Sequence, residues 1–288
     1  MMRCKPMLAY PVSDKPIDYS NKISIQPKLD GVRCLIQCNK TKNNNNYVIA
    51  YSRTGKEWKN IDHILKQLHP FFAKYPDIIL DGELYNHDLR DDFEKIISLV
   101  RKTKPTDEDR LEASKKTQFH CYDIIDETLT FEERNYFIYK QLPTSYCVKH
   151  LITKSCSTEV IAKVIHQQNL DNGYEGSIVR TNDTYQCKRS HNLRKFKDFS
   201  DAEATIIGFE EGKGKRAGHL GKFIMRDDEG VEFGCPPGKG YNYEDMKKLL
   251  HRAKWYVDHK ARATFTYFER TKAGSYRHPL FKSIRNYE

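Results

Sequence analysis

The chain has 288 residues, 38% hydrophobic and 12% aromatic, enough for two packed domains or one large one, and its 31% charged residues are too mixed in sign for disorder. With 49 Lys and Arg against 39 Asp and Glu the formal net charge is +10, which favours a polyanionic partner, nucleic acid before an acidic membrane surface. No apolar run approaches the roughly 18 residues of a membrane helix, and Met1-Met2-Arg3-Cys4-Lys5-Pro6 opens no signal-peptide core. The eight cysteines contain no Cys-x-x-Cys pair, and Cys34 and Cys38 have no second pair to complete a zinc site. Reduced thiols in a cytosol-like compartment, without structural zinc, are therefore expected.

Residues 1–22 are polar and proline-marked, a leader expected to pack onto the first sheet. Residues 23–37 read as strand, turn and strand around Lys28-Leu29-Asp30-Gly31-Val32-Arg33. The asparagine run ending at Asn46 is a solvated hairpin loop, and 47–52 is the returning strand. It delivers Ser52-Arg53-Thr54-Gly55, with a helix from about Asn60 to Leu68. Ile78-Ile79-Leu80 is a short buried strand running into Asp81-Gly82-Glu83. Asp91 or Asp92 can cap a helix through Lys102, and the charged stretch 103–117 is expected to be exposed.

Residues 119–125 form a strand carrying Tyr122-Asp123, and 158–169 a helix stopped by Asn172-Gly173. A strand follows with Glu175 at its head, then a basic cluster of Lys188, Arg189, Arg194, Lys195 and Lys197. Beyond Phe199 the texture changes to short strands with glycine-rich turns, interrupted by one helix near 243–252 and closed by a strand over 261–269. That pattern suits a small barrel of the OB type. The expected organisation is α+β: a domain of antiparallel sheets with helices over 1–199, then an OB-fold barrel over 200–288.

Reactive side chains cluster at strand ends. Lysine is almost wholly protonated at neutral pH, so Lys28 becomes a nucleophile only where its surroundings remove that proton. Glu83 and Glu175 can hold Mg²⁺ through one or two oxygens, with substrate phosphate completing the shell. Arginines and lysines can neutralise a phosphoryl group in transfer. Taken singly, each feature has a plainer reading: a surface turn for the lysine, core packing for Tyr122, a solvated acid for Glu83. The glycine-rich basic stretch from Gly212 lacks phosphate-loop spacing and reads as a DNA-backbone contact carrying Lys213, Lys215 and Arg216.

In order, Lys28-Leu29-Asp30-Gly31-Val32-Arg33, Ser52-Arg53-Thr54-Gly55, Asp81-Gly82-Glu83, Tyr122-Asp123, Glu175-Gly176-Ser177-Ile178-Val179-Arg180 and Leu193-Arg194-Lys195-Phe196-Lys197 resemble the motifs of the covalent nucleotidyltransferases. The run from Asp201 to Phe209 and the compact length resemble the ATP-dependent DNA ligases, in particular the two-domain ligases of phages and large DNA viruses. The resemblance implies Lys28 as the nucleophile that forms lysyl-N-AMP, with Asp30 acting in the later, DNA-dependent steps. It implies nucleotide contacts from Arg33, Glu83, Tyr122 (against adenine), Lys195, Lys197 and Arg285. Lys195 and Lys197 would act on the α-phosphate and Arg53 on nucleotide or nick phosphates, while Arg189 joins the basic DNA contacts.

Metal would sit on Glu83 and Glu175, as Mg²⁺ with Mn²⁺ as alternative. The implied partners are ATP and nicked duplex DNA, with no membrane; the protein would be a monomer in the cytoplasm or the host-cell compartment where DNA is replicated, not secreted. The C-terminal run departs from the family pattern, since only Arg285 of Phe281-Lys282-Ser283-Ile284-Arg285 corresponds. An RNA ligase or a GTP-dependent capping enzyme shares the same lysine chemistry, and a non-catalytic OB-type binder is the competing class.

Overall fold

A computed structural model describes residues 4–41, 46–90, 92–196, 200–238, 240–271 and 274–285. Lys197, Asp91, Phe199 and most of the asparagine loop lie outside the described residues. The chain divides into two compact units, Met1–Lys197 and Asp198–Glu288.

In the first unit β1 (Leu8–Pro11) belongs to the leader, which enters the sheet as a strand. β2 (Ile23–Pro27) and β3 (Val32–Lys40) flank the lysine turn, and β4 (Asn46–Tyr51) returns antiparallel to β3. Helix α1 (Asp62–Lys74) follows, then β5 (Ile79–Tyr85), α2 (Phe93–Val100), α3 (Asp107–Lys116) and β6 (Gln118–Ile124). The unit continues with α4 (Phe131–Gln141), β7 (Val148–His150), β8 (Lys154–Cys156), α5 (Glu159–Asp171), β9 (Ser177–Thr181) and β10 (Arg189–Phe196).

Two five-stranded sheets result, ordered β1-β10-β9-β2-β8 and β4-β3-β5-β6-β7. The chain passes from one to the other through the lysine turn, since β2 lies in the first and β3 in the second. β3 is paired on both sides, and Cys34 to Cys38 are all buried. α1 seals that sheet with Ile64, Leu68, Phe71 and Phe72, spaced to share one helical face. α5 covers the other sheet, with Ala162 and Ile165 against Ile23, Ile25 and Val179.

Several expectations are corrected. The helix expected to end at Leu68 continues past Pro70 to Lys74, because its apolar face extends through Phe71 and Phe72. The charged stretch 103–117 is largely exposed, as expected, and in addition contains α3, started by a capping box in which Thr106 and Asp109 each accept the other's backbone N–H. α4 begins the same way, with Thr130 and Glu133. Cys4 and Cys187 form a disulfide with Cα atoms 6.5 Å apart, so the thiols are not all reduced. The cause is local: β1 pairs with β10, and the Leu8 N–H donates to the Lys188 carbonyl, which brings the two cysteines within bonding reach. The other six cysteines are free and buried.

The second unit contains β11 (Ser200–Glu211), β12 (Leu220–Arg226), β13 (Glu232–Cys235), α6 (Tyr243–Asp258), β14 (Arg262–Tyr267), β15 (Glu269–Arg270), β16 (Tyr276–Arg277) and β17 (Leu280–Ile284). Its main sheet is antiparallel, in the order β13-β12-β11-β14-β17, around Phe223, Met225, Phe265 and Phe281. Among the described residues no continuous ladder joins β13 to β17. A single parallel bridge between Pro237 and Phe281 draws the two ends together, so the expected barrel is closed at one point only. The final strand also stops earlier than expected, at Tyr267, and β17 was not anticipated.

Candidate active site

The lysine turn is fixed from two directions. A Cβ on Gly31 would lie 2.4 Å from the Leu84 carbonyl oxygen, so only glycine lets this turn lie against β5. On the other side the Lys28 N–H donates to the Gly176 carbonyl at 2.9 Å, and the Glu175 N–H donates to the Lys28 carbonyl at 3.1 Å. Gly176 adopts φ +143°, and a Cβ there would meet the Phe196 carbonyl at 2.4 Å. These bonds carry the β2–β9 ladder past Pro27, and they bring the Glu175 carboxylate onto Lys28 Nζ as an ion pair. The pair is largely desolvated: the Lys28 side chain is 21% exposed and that of Glu175 6%.

Lys28 borders a cavity of about 450 Å³ that also gathers Arg33, Arg53, Glu83, Tyr122 and Lys195. Cross-strand register explains part of this convergence. Gln26 on β2 lies opposite Ile178 on β9, which lies opposite Lys195 on β10, so one row across the sheet faces the cavity. From the other sheet, Arg33 lies opposite Glu83. The β5–β6 ladder steps from Asp81↔Asp123 to Gly82↔Cys121, leaving Tyr122 as the extra residue of a bulge.

The groups lining the cavity are held by a buried polar layer. Arg33 donates to both Asp81 oxygens, at 2.6 and 2.5 Å, and to the Met7 carbonyl at 3.2 Å. Tyr185 donates to Asp81 at 2.7 Å and accepts the Met7 N–H at 2.7 Å. Asp123 receives Arg134 Nε and Arg180 Nη1, both at 2.7 Å, and all three side chains are almost wholly buried. Arg180 also donates to Gln26 at 2.7 Å. The guanidinium carbons of Arg33 and Arg180 lie 5.2 and 5.5 Å from the centre of the Tyr122 ring. Burial raises the Tyr122 phenol well above its usual range, so it remains a donor, and its hydroxyl reaches Glu83 at 3.2 Å.

Burial also raises the Glu83 carboxyl from 4.5 to about 7, against the lowering pull of Arg33 and Lys28. The folded state then keeps a proton that the unfolded chain has lost between those values. Stability from this group is full below about 4.5 and is lost as pH rises through about 7. In metal-free buffer, Glu83→Gln should flatten the decline of melting temperature between these values; calorimetry that finds equal slopes in both proteins would contradict this.

The remaining expected residues are placed as follows. Asp30 sits in the lysine turn, half-buried, and does not line the cavity. Arg189, at the start of β10, donates to the Ala9 carbonyl and lies over the Tyr10 ring at 5.6 Å. Lys213, Lys215 and Arg216 are exposed on the loop between β11 and β12. Arg285 belongs to the second unit, where its Nε pairs with Glu203 at 2.6 Å. Arg180, Gln26, Trp58 and Arg101 also line the cavity and were not singled out. For Arg180 the signal was the two-residue alternation of its strand, which puts it on the same face as Ile178.

A family model described as ATP dependent DNA ligase domain matches residues 6–197. A DNA ligase of African swine fever virus (isolate Tick/South Africa/Pretoriuskop Pr4/1996) is 29% identical over 215 residues, covering 68% of this chain and 46% of that one. A DNA ligase of Haemophilus influenzae is 27% identical over 182 residues, covering 62% of this chain and 63% of that one. The chain thus spans about half the length of the viral relatives and under two thirds of the bacterial one. Among solved structures, a Lig E DNA ligase described as a minimal scaffold for DNA binding aligns over 99% of this chain and 100% of its own, with a TM-score of 0.75 and 21% identity. The ATP-dependent ligase of bacteriophage T7, in complex with ATP, aligns over 98% of both chains with a TM-score of 0.54 and 18% identity. These likenesses establish the fold, a nucleotidyltransferase domain followed by an OB-fold domain. Since the family model spans the whole sheet system around Lys28, the chain belongs to the ATP-dependent DNA ligase domain family.

Proposed function

We propose that this chain is a DNA ligase that uses ATP to seal nicks in duplex DNA, with Lys28 as its nucleophile. The observation that carries this reading is the ion pair of Glu175 with Lys28, the lysine lying on the wall of a cavity that is also lined by Glu83, Arg33 and Lys195. In the first step the Lys28 nitrogen forms a bond to the α-phosphorus of ATP, and the bond to pyrophosphate breaks. The nitrogen must first lose its proton, and Glu175 is the group in contact with it. Lys195, on the same wall, neutralises the phosphate; Lys197, two residues on, is assigned the same task from the sequence alone. Tyr122 borders the base, with its ring set by Arg33 and Arg180.

Next, a nick 5′-phosphate oxygen attacks the adenylate and frees Lys28. The 3′-hydroxyl then attacks the phosphorus of the nick's own 5′-phosphate, forming the phosphodiester while the bond from that phosphate to AMP breaks and AMP leaves. Asp30, beside Lys28 but off the cavity wall, is assigned to these later steps. Mg²⁺ is assigned to Glu83, which feels the charge of Lys28, and to Glu175, which is paired with it; no group of three metal-ligating side chains occurs among the described residues, so phosphate and water would complete the shell. When bound it supplies positive charge to the phosphates. Arg53, Arg189, Lys213, Lys215 and Arg216 are assigned to the DNA backbone, and Arg285 to the nucleotide once it leaves Glu203. The protein works as a monomer, in the compartment where DNA is replicated.

The test is to incubate the protein with Mg²⁺ and labelled ATP or GTP, then offer nicked duplex DNA or matched RNA. Covalent label from ATP with sealing of the DNA nick is expected. Label from GTP alone would favour a capping enzyme, sealing of RNA alone an RNA ligase, and no adduct at all a non-catalytic binder.

A further inference from the structure

Beneath the Glu175–Gly176 turn lies a buried polar cluster that the chemistry above does not use. Ser177, the first residue of β9, is fully buried, and its hydroxyl accepts from Asn169 Nδ2 at 2.8 Å. The same oxygen lies 3.1 Å from His166 Nδ1, in hydrogen-bond contact with the imidazole. Asn169 and His166, one turn apart on α5, are each 4% exposed. His166 stacks flat on Phe196, with ring centres 3.8 Å apart and planes within 7°. The Phe196 carbonyl is the atom against which Gly176 is pressed. The Asn169 carbonyl also accepts the Tyr174 N–H at 3.0 Å, so α5 grips the turn at both ends.

We infer that Ser177, Asn169 and His166 form a positioning network that sets the Glu175 carboxylate against Lys28. A neutral, fully buried hydroxyl with two polar partners is a costly way to fill space, because burial of polar atoms is favourable only when their hydrogen bonds are met. Here the bonds do more than fill space. They tie the C-terminal half of α5 to the residue immediately after the Glu175–Gly176 turn, and the stack of His166 on Phe196 adds the end of β10. The turn in turn exchanges two backbone hydrogen bonds with Lys28, so a shift of Ser177 is passed directly to the nucleophile. Misplacement of a reacting group by about 1 Å can cost on the order of a hundred-fold in rate.

This inference rests on the assignment of Lys28 as nucleophile, and the test separates the two. Single-turnover adenylation is followed by intact mass in wild type, Ser177→Ala, Asn169→Ala and the double variant, across ATP concentrations. Both single variants should stay folded and lose roughly ten-fold or more in the saturated rate, with half-saturating ATP unchanged. The double variant should be no slower than the slower single variant, because both act through one hydroxyl. Wild-type rates in folded Ser177→Ala would overturn the network, as would a loss confined to half-saturating ATP or multiplicative losses in the double variant. Should Ser177→Ala fail to fold, Asn169→Ala, a helix-compatible change, carries the same rate comparison. A wild-type protein that never gains AMP would refute the nucleophile assignment instead.

Discussion

Lys28→Ala should leave a folded protein that never gains the mass of AMP, with nick sealing lost together with the adduct. The side chain is partly exposed to the cavity, pairs with Glu175 and belongs to neither neighbouring apolar cluster, so its removal takes nothing from the apolar core. On the proposed assignment the adduct is lost, because the amine that would bond the phosphorus is gone. Alanine also takes the Lys28 charge away from Glu175, whose side chain is 6% exposed. A modest change in melting temperature is therefore expected in addition to total loss of chemistry. Persistent AMP on the Lys28→Ala protein, mapped to another lysine by peptide mass, would move the nucleophile elsewhere.

The second large effect concerns stability. Asp123 lies between Arg134 and Arg180, and the side chains are 0%, 1% and 3% exposed. Asp123→Ala removes the carboxylate that both guanidinium groups share and leaves two buried cations facing each other across the gap. Breaking a buried pair in this way costs about 3–5 kcal/mol. For a unit of this size that corresponds to a fall in melting temperature of roughly 10 °C. Arg134 keeps its bonds to the Leu129 and Asp183 carbonyls, and Arg180 keeps Gln26, which moderates the loss. A fall under about 3 °C would mean that water reaches the gap and solvates the arginines.

The strands around Lys28 were legible because their apolar residues alternate or run together, and because the motif residues fall at strand ends. Ile23 and Ile25 are both in the core, as that alternation required. Helix α3 was not legible from periodicity, since Asp-Glu-Asp-Arg-Leu-Glu-Ala-Ser-Lys-Lys has almost no apolar face. It is held by its capping box, by the Arg110–Asp62 pair to α1 and by buried Ala113. Its start was nevertheless written in Thr106-x-x-Asp109, as that of α4 was in Thr130-x-x-Glu133. β7 and β8 have three residues each, too few for any pattern. In the site, residue types were readable but partners were not: that Arg33 spends its donors on Asp81, or that Gln26 links Arg180 to Thr153, depends on strand register.

The pairing of β1 with β10 bears on how the protein is made. The sheet that holds Lys28 opens with the leader, yet the partner of that leader is the last strand of the unit. A nascent chain can form the β3–β4 hairpin early, but β1 has no neighbour in its sheet until Phe196 has left the ribosome. Such high contact order slows folding and keeps the early strand exposed meanwhile. The cavity beside Lys28, lined by Leu8 and Ala9 of β1 and by Leu193 and Lys195 of the neighbouring β10, would then be among the last parts of the unit to form.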